Sequence, residues 1–294
     1  MKNEFDYLKM VALKGGPSTT QYQELDSIFY KIWHKQQEDN IPFSYLNKVM
    51  QNIGPAFSNE TMQGFVVNQP HGYAGDYEII DRIYSYWLSP RPELINWDYY
   101  FHSRKAPKAV RNRKDYFKNQ VASLCANKSQ NYNILNIGSG PCRDVLEFFD
   151  SYGCSNVFFD CVDIDENSIN YAKKLCKNFL SNIEFHNQNI LRFKSDKSFS
   201  IIWSAGLFDY LDDRCFKLLL KRLGKMTGSP GEIIIGNFSD CNPTRYYMEF
   251  GGWLLNHRSE DQLFDLALQA GFTKDQILIN NESEKVNLFM HIKI

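Results

Sequence analysis

A glycine-rich stretch at residues 133–143 holds the clearest chemical signal in the chain. Its apolar run ends in Gly138, Ser139 and Gly140, and a segment that favours a helix follows. A parallel strand that enters a glycine turn at a helix N-terminus brings a ligand against bare backbone and unsatisfied N–H groups. The dinucleotide-binding pattern requires glycine or alanine where Arg143 stands. The stretch therefore predicts a nucleotide-like ligand and disfavours an NAD-dependent oxidoreductase.

Two carboxylates follow the next predicted strand, at Asp163 and Asp165. A carboxylate at this place can accept hydrogen bonds from both hydroxyls of a ribose. Asp163 also has the expected spacing of roughly 20–25 residues from the glycine turn. We predict that both residues bind a cofactor. For Asp165 the N-cap of the following helix is an equally good interpretation.

A second group of reactive side chains lies in the N-terminal half, at residues 71–78. Within this segment His71, Tyr73 and Asp76 could transfer a proton, and Tyr77 could contact a bound cofactor. Glycines that flank aromatic and acidic residues are typical of a loop that presses against a ligand. The alternative is a tight turn followed by a helix that Asp76 caps.

Two further segments could supply ligand contacts. Arg104 and Arg111 are seven residues apart, so on a helix they could share a face and clamp the carboxylate of a cofactor or substrate. A solvated basic helix face is the alternative. The long connection that begins at Asn237 includes Tyr246, and connections of this length are often binding loops or lids.

The pattern of elements divides the chain into two parts. From about residue 130, predicted strands and helices alternate, which indicates a parallel sheet with helices on both faces. The predicted strands are at 134–137, 157–164, 183–190, 199–207, 231–238, 276–279 and 286–294. Earlier segments show the apolar spacing of helices, at 22–37, 43–53, 77–87 and 108–125. We predict a helical domain over 1–125 and an α/β domain over 126–294.

Composition narrows the class of protein. The 294 residues carry 33 Lys and Arg against 34 Asp and Glu, so no global field attracts nucleic acid or an anionic membrane. No apolar run approaches the roughly 20 residues that span a bilayer. The seven cysteines form no C-x-x-C pair, which indicates reduced thiols in the cytoplasm and predicts no metal site.

Together these motifs resemble those of class I S-adenosylmethionine (SAM)-dependent methyltransferases. The similarity is to a bacterial subgroup with an N-terminal helical domain, which includes 3-hydroxy fatty acid methyl ester synthases. It is carried by residues 72–78, 109–113, 138–143 and 242–253. The resemblance implies a Rossmann-like sheet of seven strands whose last strand is antiparallel. It also implies that residues 1–125 form a cap or substrate domain over the cofactor cleft.

The resemblance assigns roles at the strand ends. Gly138, Ser139 and Gly140 would face the methionine part of S-adenosyl-L-methionine. Asn189 would pair with the adenine amino group while Ile190 covers the ring, although an ordinary surface asparagine is the alternative. Ser204 follows the fourth strand, at the position that faces the methyl group. The motifs that mark methylation of nucleic-acid bases are absent there.

The implied reaction is methyl transfer to a small molecule, with a carboxylate oxygen as one candidate acceptor. A carboxylate needs only orientation, whereas an amine or hydroxyl needs a general base. For that base, and for other catalytic contacts, the candidates are His71, Tyr73, Asp76 and Tyr246. Arg104 and Tyr77 are assigned to the cofactor. N- or O-methylation of another metabolite, or a SAM-binding regulatory module without transfer, are the alternatives. The sequence leaves the oligomeric state open.

Overall fold

The computed structural model describes residues 1–124, 127 and 129–294. The described chain forms two compact units. The first comprises residues 1–108 and 242–254, and the second comprises residues 109–241 and 255–294. The expected domain boundary at 125–126, and the expected end of a helix at 125, lie outside the described residues.

The helices of both units follow the apolar periodicity of the sequence only in part. In chain order they are α1 Lys2–Leu13, α2 Tyr22–Glu38, α3 Phe43–Gln51, α4 Met62–Asn68, α5 Tyr77–Tyr84, α6 Ile95–Ser103, α7 Lys105–Leu124, α8 Arg143–Tyr152, α9 Glu166–Leu175, α10 Asp213–Gly224, α11 Arg245–Phe250 and α12 Glu260–Gln269. The predictions that begin at residues 22, 43 and 77 correspond to α2, α3 and α5. Helices α1, α4 and α6 were not predicted.

The first unit is helical and contains α1–α6 together with α11. The expected binding loop after Asn242 thus includes a short helix that packs against α2. The ring of Phe29 lies 4.7 Å from that of Phe250, and Trp33 Nε1 donates a 2.8 Å hydrogen bond to Glu249 Oε2. Tyr247 and Trp253 are buried within this packing. Aromatic burial of this kind contributes well over 1 kcal/mol per ring, roughly 2 to 3.

The second unit contains one mixed sheet of seven strands. They are β1 Tyr132–Ile137, β2 Val157–Asp163, β3 Ile183–Asn187, β4 Phe199–Ser204, β5 Thr227–Phe238, β6 Ile277–Asn281 and β7 Asn287–Lys293. Their order is β3-β2-β1-β4-β5-β7-β6, and β7 runs antiparallel to both of its neighbours. This confirms the predicted Rossmann-like sheet with its antiparallel last strand and, before it, a helical region.

Side chains along β1 alternate in direction, so this strand contributes to a hydrophobic core on each face of the sheet. On one face Leu135 and Ile137 belong to the core that includes residues of α10 and α12. On the other, Ile134 belongs to the core that includes Phe117 of α7 and Phe148 of α8. Because β1–β5 are parallel, their carboxyl ends lie at the same edge of the sheet, where a ligand can approach them.

The prediction that the cysteines are reduced thiols is wrong for one described residue. Cys154 takes part in a disulfide bond, whereas Cys142, Cys161, Cys176, Cys215 and Cys241 are free thiols. Spacing alone does not reveal such a bond, because it depends on which cysteines the fold brings together. Among the described residues, no helix is both long enough and apolar enough to cross a membrane.

Candidate active site

The glycine turn is fixed to the second strand of the sheet. The N–H groups of Gly138 and Ser139 both donate to the carbonyl of Val162, at 2.9 and 3.2 Å. Gly138 and Gly140 have φ values of +59° and +55°, which favour glycine. A Cβ at Gly138 would lie 3.0 Å from Cβ of Leu207, whereas at Gly140 it would meet nothing within 4 Å. The turn is therefore closed at Gly138 and open at Gly140.

Unpaired polar atoms surround this turn. Among the described residues, Ser139 Oγ, Asn136 Nδ2 and Ser204 Oγ are buried without a hydrogen-bond partner from the chain. They lie at the carboxyl ends of β1 and β4, and each leaves a buried donor or acceptor to be satisfied. A polar ligand such as the methionine part of SAM would match these groups, so the residues present fit the expected cofactor.

Asp163 is the most constrained acid of the site. Its Oδ2 accepts the N–H of Gly140 at 2.9 Å, and its Oδ1 accepts the N–H of Asp165 at 3.0 Å. Burial raises the pKa of Asp163, while these N–H donors act to lower it. Two carboxylate oxygens have about four acceptor positions, so Asp163 keeps capacity beyond its backbone N–H partners to accept a ribose hydroxyl. Asp165 is the N-cap of α9, where its side chain accepts the N–H of Asn167.

An exposed isoleucine beside these acids was missed by the sequence analysis. Ile164 is 70% exposed although it is large and apolar. The Asn187 side chain donates to the carbonyls of both Asp163 and Ile164, at 3.3 and 3.0 Å. An apolar side chain held at this edge could cover one face of an adenine ring. The signal in the sequence is an isoleucine between two aspartates, just after a buried strand.

Asn189 and Ile190 lie just beyond β3. The Asn189 Oδ1 accepts the N–H of Leu191 at 2.8 Å, while Ile190 is only 9% exposed and belongs to the core. Ile164 therefore offers more apolar surface to a ligand than Ile190 does. The role of Asn189 toward adenine stays a prediction.

The segment 71–78 belongs to the first unit and is tied to α5. Asp76 caps this helix by accepting the N–H groups of Glu78 and Ile79, at 2.8 and 3.0 Å. Burial raises the pKa of Asp76. The His71 Nε2 lies 2.9 Å from Glu78 Oε2, and the His71 ring lies 4.7 Å from that of Tyr77. Tyr73, in contrast, is 41% exposed.

Arg104 and Tyr246 are brought together within the first unit by Asp26. Arg104 forms an ion pair with Asp26 and lies 4.4 Å from the ring centre of Tyr100. Burial, followed by interaction with the Asp26 carboxylate, raises the pKa of Tyr246. Tyr100 donates its own hydroxyl to Asp26 Oδ1 at 2.7 Å. Sequence reasoning had no signal for Asp26 or Tyr100, because α2 and α6 are far apart in the chain.

One group among the described residues has the composition of a metal site: Asp160, Glu184 and His186. The Lys197 ammonium lies 2.8 Å from a carboxylate oxygen of Asp160 and of Glu184. This lysine already supplies the positive charge that the acids require. The arrangement is that of an ion-pair network on the sheet edge.

Comparison with known proteins identifies the class. A family model described as "Methyltransferase domain" matches residues 128–287, more than half of the chain. The chain belongs to this family. It is a SAM-dependent methyltransferase, and S-adenosyl-L-methionine is its cofactor, as the sequence motifs predicted.

Solved structures share the fold at low sequence identity. A possible exported protein from Bordetella parapertussis has a TM-score of 0.62 at 14% identity, covering 87% of this chain and 98% of its own. A candidate O-methyltransferase from Nostoc punctiforme has a TM-score of 0.51 at 11% identity, covering 64% and 57%. The pyocyanin biosynthetic protein PhzM has a TM-score of 0.50 at 13% identity, covering 72% and 62%. No curated protein matches the chain.

Proposed function

We propose that the protein transfers the methyl group of SAM to a carboxylate oxygen of a small molecule and so forms a methyl ester. The observation that supports this proposal is the state of one candidate general base: Asp76 is buried as the cap of α5, where it accepts two backbone N–H groups. An acceptor that is already ionised at neutral pH needs no base. His71, paired with Glu78, retains the arrangement of a base for other acceptors, and the matched acceptors below test that alternative.

The chemistry of such a transfer is simple in atoms and charge. SAM supplies a methyl group on a cationic sulfur, and the acceptor oxygen forms the new bond as the sulfur–carbon bond breaks and its electron pair stays on sulfur. The chain must align the two reactants and exclude water from the reacting atoms. No proton moves when the acceptor is a carboxylate.

For the donor we assign roles to residues of the second unit. At the methionine end, Gly138 would form the closed side of the turn and Gly140 its open side, while Ser139 and Ser204 would offer their unpaired hydroxyls. Asp163 accepts the ribose hydroxyls through its remaining acceptor positions. Ile164 would cover the adenine ring, with Asn189, Ile190 and Asp165 assigned to the same side of the cofactor.

For the acceptor we assign recognition to the first unit. Tyr73 and Tyr246 are our candidates for contact with the acceptor. His71 and Asp76 fix the conformation of the segment 71–78, which contains Tyr73. Tyr77 and Arg104 were expected to contact the cofactor. Because Arg104 is already paired with Asp26, we propose that it orients Tyr246 through this shared carboxylate.

Matched acceptors test the proposal. The protein is incubated with SAM carrying a deuterated methyl group and with a 3-hydroxy fatty acid, its primary amide or the corresponding diol, and products are identified by mass spectrometry. A labelled methyl ester from the acid, with no product from the amide or diol, is the expected result. A labelled ether would replace the proposal with methylation of a hydroxyl group, and a labelled N-methyl amide would replace it with N-methylation.

A further inference from the structure

The loop that follows β4, residues 205–211, is held by two buried arginines. Arg113 of α7 is 6% exposed and Arg258 is 4% exposed. Both belong to the second unit, and both reach the loop through side-chain contacts. A buried guanidinium needs several partners to offset the loss of water, so the partners of each arginine indicate what it holds in place.

Arg258 fastens the far part of the loop to β5. Its Nη1 donates to the carbonyl of Phe208 at 3.1 Å and to Oδ1 of Asn237, in β5, at 2.9 Å. Its Nη2 donates to the carbonyl of Leu211 at 2.6 Å and to Oδ1 of Asp213 at 3.0 Å. One planar group thus joins two turns of the loop, the start of α10 and the end of β5.

Arg113 fastens the near part of the loop. Its Nη1 lies 3.4 Å from the carbonyl oxygen of Ala205, within hydrogen-bonding range. A Cβ added to Gly206 would lie only 3.0 Å from this Nη1 and 3.3 Å from Oδ2 of Asp209. A side chain at Gly206 would therefore have to displace the ends of Arg113 and Asp209 by a few tenths of an ångström.

The charge of Arg113 also acts on the start of α8. Asp144, in the first turn of that helix, is buried, and Arg113 lowers its pKa against the larger effect of burial, which raises it to about 6. The same helix begins directly after the glycine turn. Arg113 therefore contacts the loop after β4, whose Leu207 borders Gly138 of the glycine turn, and its charge also reaches the helix after β1.

Asp209, within the same loop, also connects it to β5. Its Oδ1 accepts the N–H of Phe238 at 2.7 Å, and its carbonyl accepts the N–H of Asn256 at 2.7 Å. The charges of Arg113 and Arg258 both act on this carboxyl group. Two buried arginines from distant parts of the sequence, together with Asp209 in the loop itself, thus restrain this short segment.

We propose that Arg113 is a positioning residue for methyl transfer: it holds the loop 205–211 in the geometry that binds the methionine end of SAM. This inference rests on the proposed assignment of that end to Gly138, Ser139, Gly140 and Ser204. It predicts a selective defect, because the ribose and adenine side at Asp163 and Ile164 does not depend on Arg113.

The experiment compares two probes by calorimetry: SAM, and 5′-methylthioadenosine, which retains the adenosine part and lacks the amino-acid end. Arg113→Lys keeps the positive charge and removes the planar fork. Gly206→Ala keeps Arg113 and places a methyl group against it. Lys114→Gln is the matched control, since Lys114 is also buried on α7 but pairs with Glu147 at 2.7 Å.

For Arg113→Lys and Gly206→Ala we expect the Kd for SAM to rise by about tenfold, the equivalent of losing one charge-assisted hydrogen bond. The Kd for 5′-methylthioadenosine should stay within about twofold in both, and Lys114→Gln should change neither Kd. Equal weakening of both probes would show a merely structural role and overturn the inference, as would an unchanged affinity for SAM in both variants. Failure of the donor assignment itself has a different signature: SAM would bind the unaltered protein and Gly140→Arg equally well.

Discussion

The backbone N–H of Gly140 donates a 2.9 Å hydrogen bond to Oδ2 of Asp163. This bond joins the turn after β1 to the last residue of β2, so the two sequence signals at residues 138–140 and 163 form one unit of structure. It also makes Asp163 both a part of the turn and a candidate ligand of ribose. Variants of Asp163 must therefore be compared for stability as well as for binding.

Replacing Asp163 with alanine should weaken SAM binding strongly. Loss of two hydrogen bonds from ribose to a carboxylate corresponds to about 3 kcal/mol or more, hence to at least a hundredfold increase in Kd. Titration calorimetry measures this change. The control is Asp165→Asn, which retains an N-cap for α9 and should bind SAM with less than about a tenfold loss. Normal affinity in Asp163→Ala would remove this residue from the cofactor site.

Replacing Ile164 with serine should weaken SAM binding without lowering stability. The side chain is 70% exposed, so the folded protein loses little, whereas an adenine ring would lose an apolar contact worth about 1 kcal/mol, or roughly fivefold in Kd. Leu180→Ser, at a leucine that is 49% exposed in the same unit, is the matched control. Equal affinity in both variants would show that Ile164 does not contact adenine.

The stability of the protein should fall between acidic and neutral pH because of Asp209. Burial raises the pKa of this carboxyl group from 3.8 to about 7, against the charges of Arg113 and Arg258. A raised pKa means that the folded state holds the proton more tightly than the unfolded state does. The stability that Asp209 contributes is therefore complete below the pKa of the unfolded chain and is lost as pH rises through about 7. Urea unfolding at several pH values measures this loss.

Asp209→Asn serves as the comparison for that measurement. Asparagine retains an acceptor for the N–H of Phe238 and does not titrate, so the variant should show a weaker decline. Other buried acids such as Asp98 and Asp144, whose pKa values are raised to about 6, contribute equally to both proteins. Parallel pH profiles for the two proteins would contradict the buried, protonated state that we infer for Asp209.

Replacing Tyr73 or Tyr246 with phenylalanine should lower turnover more than SAM affinity. Each change removes one hydroxyl from the unit to which we assign the acceptor, and a lost hydrogen bond in the transition state costs about tenfold in kcat/KM. Steady-state kinetics with the accepted acid, together with calorimetry with SAM, separates the two effects. Tyr45→Phe, at an exposed tyrosine of the same unit, is the control. Full activity in Tyr73→Phe and Tyr246→Phe would exclude both hydroxyls.

The sheet could be predicted from the sequence because its signals are local. Most of the strands appear as short apolar runs between turn residues, and Ser259 begins α12 with a capping box that is visible in the sequence. Two of the missed helices, α4 and α6, lack such signals. In α4 six of seven residues are buried, so no polar face alternates with an apolar one. Helix α6 buries Trp97 and Asp98 side by side and shows little amphipathic pattern.

The site was less predictable than the sheet for a physical reason. The glycine turn and Asp163 lie on consecutive strands and follow a spacing that the ligand imposes. The pairing of Arg258 with Asp213, or of Arg104 with Asp26, depends on elements that are distant in the chain. A charged residue in a sequence does not reveal whether it will be buried, and an isolated arginine is usually solvated. For Ile164 the problem is the opposite one: an isoleucine at the end of a buried strand is expected to be buried, so the sequence did not reveal that its side chain is exposed.

The donor site at the glycine turn is the central claim, and calorimetric titration of SAM into three proteins tests it most directly. Gly140 and Gly153 have φ values of +55° and +57°, and a Cβ added to either would meet nothing within 4 Å. Arginine at these positions therefore causes similar backbone strain, but only Gly140→Arg would place a side chain in the donor site. We predict that the unaltered protein and Gly153→Arg bind SAM alike, while Gly140→Arg loses at least about a hundredfold in affinity. Equal binding of SAM by all three proteins would contradict the account.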